Sequence, residues 1–235
     1  MTSMAKMAFH VAVTDDALTG LNAYCKAQRK REEAWIAERR RELLIPGMSR
    51  RGAAAVRREI RAQVAAMRRA GEFGGTRDDI VARAVREELR ARGLDRKWPK
   101  PPEGGTDGPG RPWGTPPSRP KGEGGYTGRV SVNLPYTLGD AVRRAAYWTS
   151  KPAVEGLQDW ADLWGDGPDV AYLEAQRADL PAELVLLASA GSLSAPQSAL
   201  EIRDGLRAQV LTTGDLIRAA IDRVAAEQPE LPDGN

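Results

Sequence analysis

Along the run RVSVNL, residues 129–134, apolar and polar side chains alternate without a break: Val130, Val132 and Leu134 against Arg129, Ser131 and Asn133. A period of two over such a run predicts a strand with one dry and one wet face. Elsewhere the apolar spacing is helical. After Pro135 it predicts a helix over 138–148, followed by a stretch with Leu157, Trp160, Leu163 and Trp164 on one face. Further helices are expected near 168–177, 181–190 and 195–209, and a last one over 213–227. Earlier in the chain, 28–41 and 51–70 carry Ile, Val and Met at helical intervals and read as two helices broken at IPGMS, residues 45–49. Thr76 is placed to cap another helix, with Asp79 as the acidic member of a capping box, Gly74 and Gly75 before it and Gly93 after. The expected fold is mainly α with two short β-strands.

Residues 99–125 hold eight Pro and eight Gly, a composition that removes hydrogen-bond donors and raises the entropy cost of ordering. This segment reads as a linker rather than core, and Trp98 and Trp113 beside or within it as locally packed or exposed. The chain is therefore divided into a first half, 1–98, a Pro/Gly-rich linker, 99–128, and a second half, 129–235.

The two halves share a pattern. At an offset of 121, Phe9, Val11 and Val13 fall on Val130, Val132 and Leu134, while Ala17, Leu21 and Cys25 fall on Leu138, Val142 and Ala146. At an offset of 136, TRDDIVARAV beginning at Thr76 falls on TTGDLIRAAI beginning at Thr212. Each half thus opens with a period-two segment and a helix, and closes with a Thr-led amphipathic helix; a duplication is expected.

Charge sharpens the division. Residues 1–98 contain 22 Lys and Arg against 13 Asp and Glu, whereas 129–235 contain 9 against 16, beneath an overall net charge of +3. A basic half joined to an acidic one points to a polyanionic partner for the first. No run is long and apolar enough for a membrane span, and the N-terminal MTSMAKMAFHVAVTDD has no signal-like apolar stretch, so a cytoplasmic protein is expected. A single Cys25 makes no internal disulfide and falls on the apolar phase of its helix. With one histidine, no phosphate-binding glycine motif after a strand and no paired carboxylates at a recognisable cleft, neither a catalytic role nor a metal or other cofactor is expected.

Strand, helix and a helix of pattern T-x-x-D-[IL]-[VI]-x-x-A-[VI] together resemble the ribbon-helix-helix DNA-binding family, the MetJ/Arc-type readers. The resemblance covers Arg129–Trp148 with Thr212–Val224, and Ala8–Ala27 with Thr76–Leu89. That family joins its two helices by a short turn; here each half would carry a large helical insertion. What the resemblance implies is a pair of antiparallel strands lying over four helices. Segments 8–13 and 129–134 could pair within one chain as a pseudo-dimer, or each could pair with its equivalent in a second chain. The ribbon would enter the major groove of double-stranded DNA, with Arg129, Ser131, Asn133 and His10 facing bases and Ala8 and Ala12 offering thymine-methyl contact. Thr76, Arg77, Thr212 and Thr213, at the starts of the second helices, would meet phosphates.

Two insertions remain. Lys26–Arg69 holds 14 Lys and Arg against 5 acidic residues. Arg50, Arg51, Arg57 and Arg58 would track phosphates beside the ribbon, unless the segment is a solvated hairpin laced with salt bridges. The other is acidic and aromatic, with Trp148, Trp160, Trp164 and Tyr172 among Asp159, Asp162, Asp166 and Asp169. It reads as a small helical core, or else as a docking surface for a protein or effector. The function expected is sequence-specific DNA binding, as a transcriptional repressor or a plasmid or mobile-element maintenance factor. The alternative is a non-catalytic adaptor whose strands only mediate pairing.

Overall fold

The computed structural model describes residues 5–102, 125–164 and 197–227. The helices expected at 168–177 and 181–190, most of the Pro/Gly-rich segment, Trp113, Asp166, Asp169 and Tyr172 lie outside them. Among the described residues the protein is mainly helical, with six helices and one two-stranded antiparallel sheet. In chain order these are β1 (Lys6–Val13), α1 (Asp15–Leu43), α2 (Arg50–Ala70), α3 (Arg77–Ala91), β2 (Gly128–Pro135), α4 (Tyr136–Trp164), α5 (Gln197–Gln209) and α6 (Thr213–Ala226).

Two compact units emerge. The first takes Met1–Arg96, Arg119–Val142 and Gly214–Asn235; the second takes Lys97–Ser118 and Arg143–Thr213.

In the first unit β1 pairs with β2 of the same chain, in a register that sets Ala8 opposite Asn133, His10 opposite Ser131 and Ala12 opposite Arg129. Val11, Val13, Val130, Val132 and Leu134 are buried. Each such side chain is worth about 1.5–3 kcal/mol on burial, more than any single polar contact on the other face, so the dry face holds the ribbon in place. Also buried in this unit are Leu21 of α1, Val81 and Val85 of α3, Leu138 and Val142 of α4, and Leu216, Ile217 and Ile221 of α6. Gly20 of α1 faces Ala225 of α6 so closely that an added Cβ would stand 2.7 Å from the alanine Cβ.

Thr14 caps α1, accepting from the Ala17 amide, with Asp15 and Asp16 in the first turn. The helix then runs 29 residues without a break, joining what the apolar spacing had separated. Ser49 caps α2, and Gly71 at φ +86° ends it in the left-handed conformation that glycine adopts most readily. Gly47, at φ +85°, makes the turn between the two helices, where the Met48 amide donates to the Ile45 carbonyl. The resulting hairpin has its own core of Ile60, Val64 and Phe73, flanked by Trp35, Ile36, Val56 and Met67. Trp35 meets Phe73 edge-on, with ring centroids 5.7 Å apart.

The second unit is built on the later part of α4 and on α5. α4 continues through Pro152 as one helix. Trp160 is buried with Ala199 and Leu200, its indole donating to the Ala199 carbonyl at 2.7 Å, and Trp164 packs beside them. Leu163 departs from the expected face and is 74% exposed. Trp148 is no part of that core. Its indole donates instead to the Pro99 carbonyl, and Arg144 donates to the Trp98 carbonyl, so the start of the Pro-rich segment is pinned to α4. Pro101 is buried, unlike the core-free segment that composition suggested.

Candidate nucleic-acid interface

The face of the ribbon away from the core is polar and open. Arg129, Ser131, Asn133, Ala8 and His10 are exposed and Ala12 is half-buried, each pair sharing one side of the sheet because directly opposed residues do. Lys6, opposite Pro135, extends this face by one more position. Sequence reasoning began the strand at Ala8 and so missed it; the period-two signal of Met7 and Phe9 could have found it. His10 Nδ1 and Ser131 Oγ share a hydrogen bond of 2.8 Å at the centre of the ribbon.

Both outer edges of the ribbon meet an arginine from a helix. Arg77, the first residue of α3, donates to the Ser131 carbonyl at 3.4 Å, and Arg218 of α6 donates to the Ala12 carbonyl at 3.0 Å. Each contact satisfies a carbonyl that an unpaired strand edge would expose. Arg218 is further held by Asp215 at 2.6 Å and stacks over Tyr126 at 4.0 Å. Arg77 therefore binds the ribbon itself while its side chain stays exposed.

The start of α3 is firmly set. The Thr76 hydroxyl accepts from the Asp79 amide, and the Asp79 carboxylate accepts from both the Thr76 amide and its hydroxyl, completing the capping box. Burial works to raise the Asp79 carboxyl, but the two hydrogen bonds from Thr76, with Lys6 and Arg68, outweigh it and hold the group below its ordinary range. Neighbouring Asp78 accepts a hydrogen bond from Asn133 Nδ2 at 3.1 Å. In the second unit Thr212 precedes α6 and Thr213 opens it, both half-buried.

Along the hairpin, Arg50, Arg51, Arg57 and Arg58 are all exposed. Among the described residues, the basic side chains of Lys26–Arg69 in ion pairs are Arg39, with Glu42, and Arg68, with Glu32. Sparse pairing leaves a dense positive surface and does not fit a salt-bridge-laced hairpin. Arg40, Arg57, Arg61 and Arg68 line one groove of about 720 Å³ over Ile36 and Ile60, which gathers charge from both helices on one side.

Neither a family model, nor a curated protein, nor a solved structure matches the chain.

Cys25 is half-buried, and burial pushes its thiol up, with Arg77 and Arg29 acting the other way. Among the described residues no group of three metal-ligating side chains converges, and no helix is long and apolar enough to cross a membrane.

Proposed function

We propose that the chain is a sequence-specific double-stranded DNA-binding protein that reads the major groove with its intramolecular ribbon. On this reading it is a fused pair of ribbon-helix-helix-like halves with helical insertions, acting as a repressor or a plasmid or mobile-element maintenance factor. The observation that carries it is the wet face: Arg129, Ser131 and Asn133 stand exposed on a two-stranded ribbon whose opposite face is buried. Such a ribbon is narrow enough for the major groove, where Arg suits guanine, Asn suits adenine and Ser serves either.

The duplication draws support from register. His10 and Ser131 are equivalent at the offset of 121, and they face each other, so a pseudo-two-fold axis would pass between them. The same operation exchanges Met7 with Gly128 and Gly139 with Leu18. An added Cβ on Gly139 would touch Met7, and one on Gly128 would touch Leu18, so the two equivalent contacts interlock large with small in opposite senses. Unpaired arginines on the hairpin add a sequence-independent attraction for phosphate.

The ribbon is chemically lopsided, with Ala8 and Ala12 facing Asn133 and Arg129. A non-palindromic site follows. Selection from a pool of random duplexes tests this: an enriched asymmetric motif is expected, while a strictly symmetric motif contradicts the intramolecular reader and no enrichment contradicts sequence reading. The adaptor reading keeps one supporting observation, that His10, Ser131 and Asn133 already hold hydrogen bonds within the protein.

A further inference from the structure

A carboxylate beside a surface for DNA is an unexpected neighbour, since it repels phosphate. Asp78 is one. It follows Arg77 in the first turn of α3, within the stretch spanned by the Thr76–Asp79 capping box, and its Oδ2 takes a hydrogen from Asn133 Nδ2. The α3 backbone is thereby fixed, and Asp78 presents an acceptor at a set place beside β2.

That contact decides which way the Asn133 amide points. A carboxylate accepts hydrogen bonds and offers none, so the amide nitrogen must face Asp78 and Oδ1 must face away from it. An amide has two N–H donors and one acceptor oxygen, and a bidentate contact to adenine uses one donor and the acceptor. With one N–H given to Asp78, a second donor and the acceptor oxygen remain for such a contact. Without this partner the amide is free to rotate, and ordering it would be charged to binding.

We infer that Asp78 is a specificity-determining positioning residue: it orients Asn133 for a base edge through the one amide hydrogen the base does not need, and its charge discourages binding to unselected phosphates. This rests on the DNA-reading proposal above. Discrimination against wrong partners by a repulsive group is a general device, gained at some cost in total affinity.

The full chain would be compared with Asp78→Ala, Asp78→Asn, Asn133→Ala and the Asp78→Ala/Asn133→Ala double variant, on the selected duplex and on random duplex, with melting temperatures recorded alongside. Asp78→Ala is expected to lower the preference for the selected duplex by about ten-fold, the lower range of a bidentate base contact, at the same base pair that Asn133→Ala affects. Binding to random duplex should strengthen. Asp78→Asn, which keeps an acceptor oxygen, should restore most of the preference, and the double variant should discriminate no worse than Asn133→Ala alone. If Asp78→Ala costs as much discrimination in the Asn133→Ala background as in the parent, Asp78 acts independently and the inference falls. Unchanged discrimination in Asp78→Ala overturns it too. A DNA-free reading separates this from failure of the DNA proposal: the Asn133 side-chain amide signals in NMR should shift between the parent and Asp78→Ala. If they do not, the contact is absent in solution, whatever the chain binds.

Discussion

His10 and Ser131 face each other across the ribbon and share a 2.8 Å hydrogen bond. The bond is exposed, so its net worth is about 0.5–1.5 kcal/mol at most. The buried valines and Leu134 beneath it outweigh that several-fold. The polar face can therefore be rewritten without unfolding the unit. His10→Ala should lower stability by no more than about 1.5 kcal/mol in urea unfolding.

The dry face behaves oppositely. Leu134 is fully buried, and Leu134→Ala should cost about 2–5 kcal/mol through lost transfer energy and the cavity left behind. Urea or thermal unfolding of the two single variants, measured side by side, tests which face carries the fold.

At Gly20 two effects compete. Alanine gains about 1 kcal/mol of helix propensity over glycine. Its Cβ, however, would stand 2.7 Å from the Ala225 Cβ and 3.0 Å from that residue's Cα and carbonyl oxygen, so helix backbone must move. Overpacking of this kind costs about 1–3 kcal/mol, and Gly20→Ala should lower the melting temperature.

Much of this arrangement is legible in the sequence. The alternation at 129–134 and its echo at 9–13 mark strands and their dry faces, because a strand buried on one side must keep the period of two. The Thr76 box is equally local, spelled out in four residues. What escaped is long-range or masked by charge. Lys26–Arg31 has no apolar rhythm, so the continuity of α1 across it could not be read. Pro152 and the run around it hid the single span of α4. Asp78 lies 55 residues from Asn133, and no periodicity links a helix start to a strand that far away.

Acid should weaken the start of α3. Asp79 is held below its ordinary value of 3.8, so its contribution is full above that pH and is lost as pH falls through the lower folded value. Compared with Asp79→Asn, which cannot titrate, the parent should lose melting temperature more steeply below pH 3.8. Thr76→Ala, which removes the other half of the box, should cost about 1 kcal/mol at neutral pH.

The hairpin arginines should act on affinity and not on sequence choice. Arg57→Ala together with Arg58→Ala should weaken selected and random duplex alike and lower the slope of log affinity against log salt by about 2. A salt titration of the double variant gives that slope directly.

On the proposed reading, the wet face of the ribbon reads base sequence. Its most direct test is a salt series on the purified chain with its selected duplex and a random one, beside a variant carrying Arg129→Ala, Ser131→Ala and Asn133→Ala. The parent should prefer its selected duplex, and the triple variant, folded as before, should keep only weak, salt-labile binding to both. Equal preference in parent and variant, or no binding by either, would contradict it and leave the ribbon as a structural clasp.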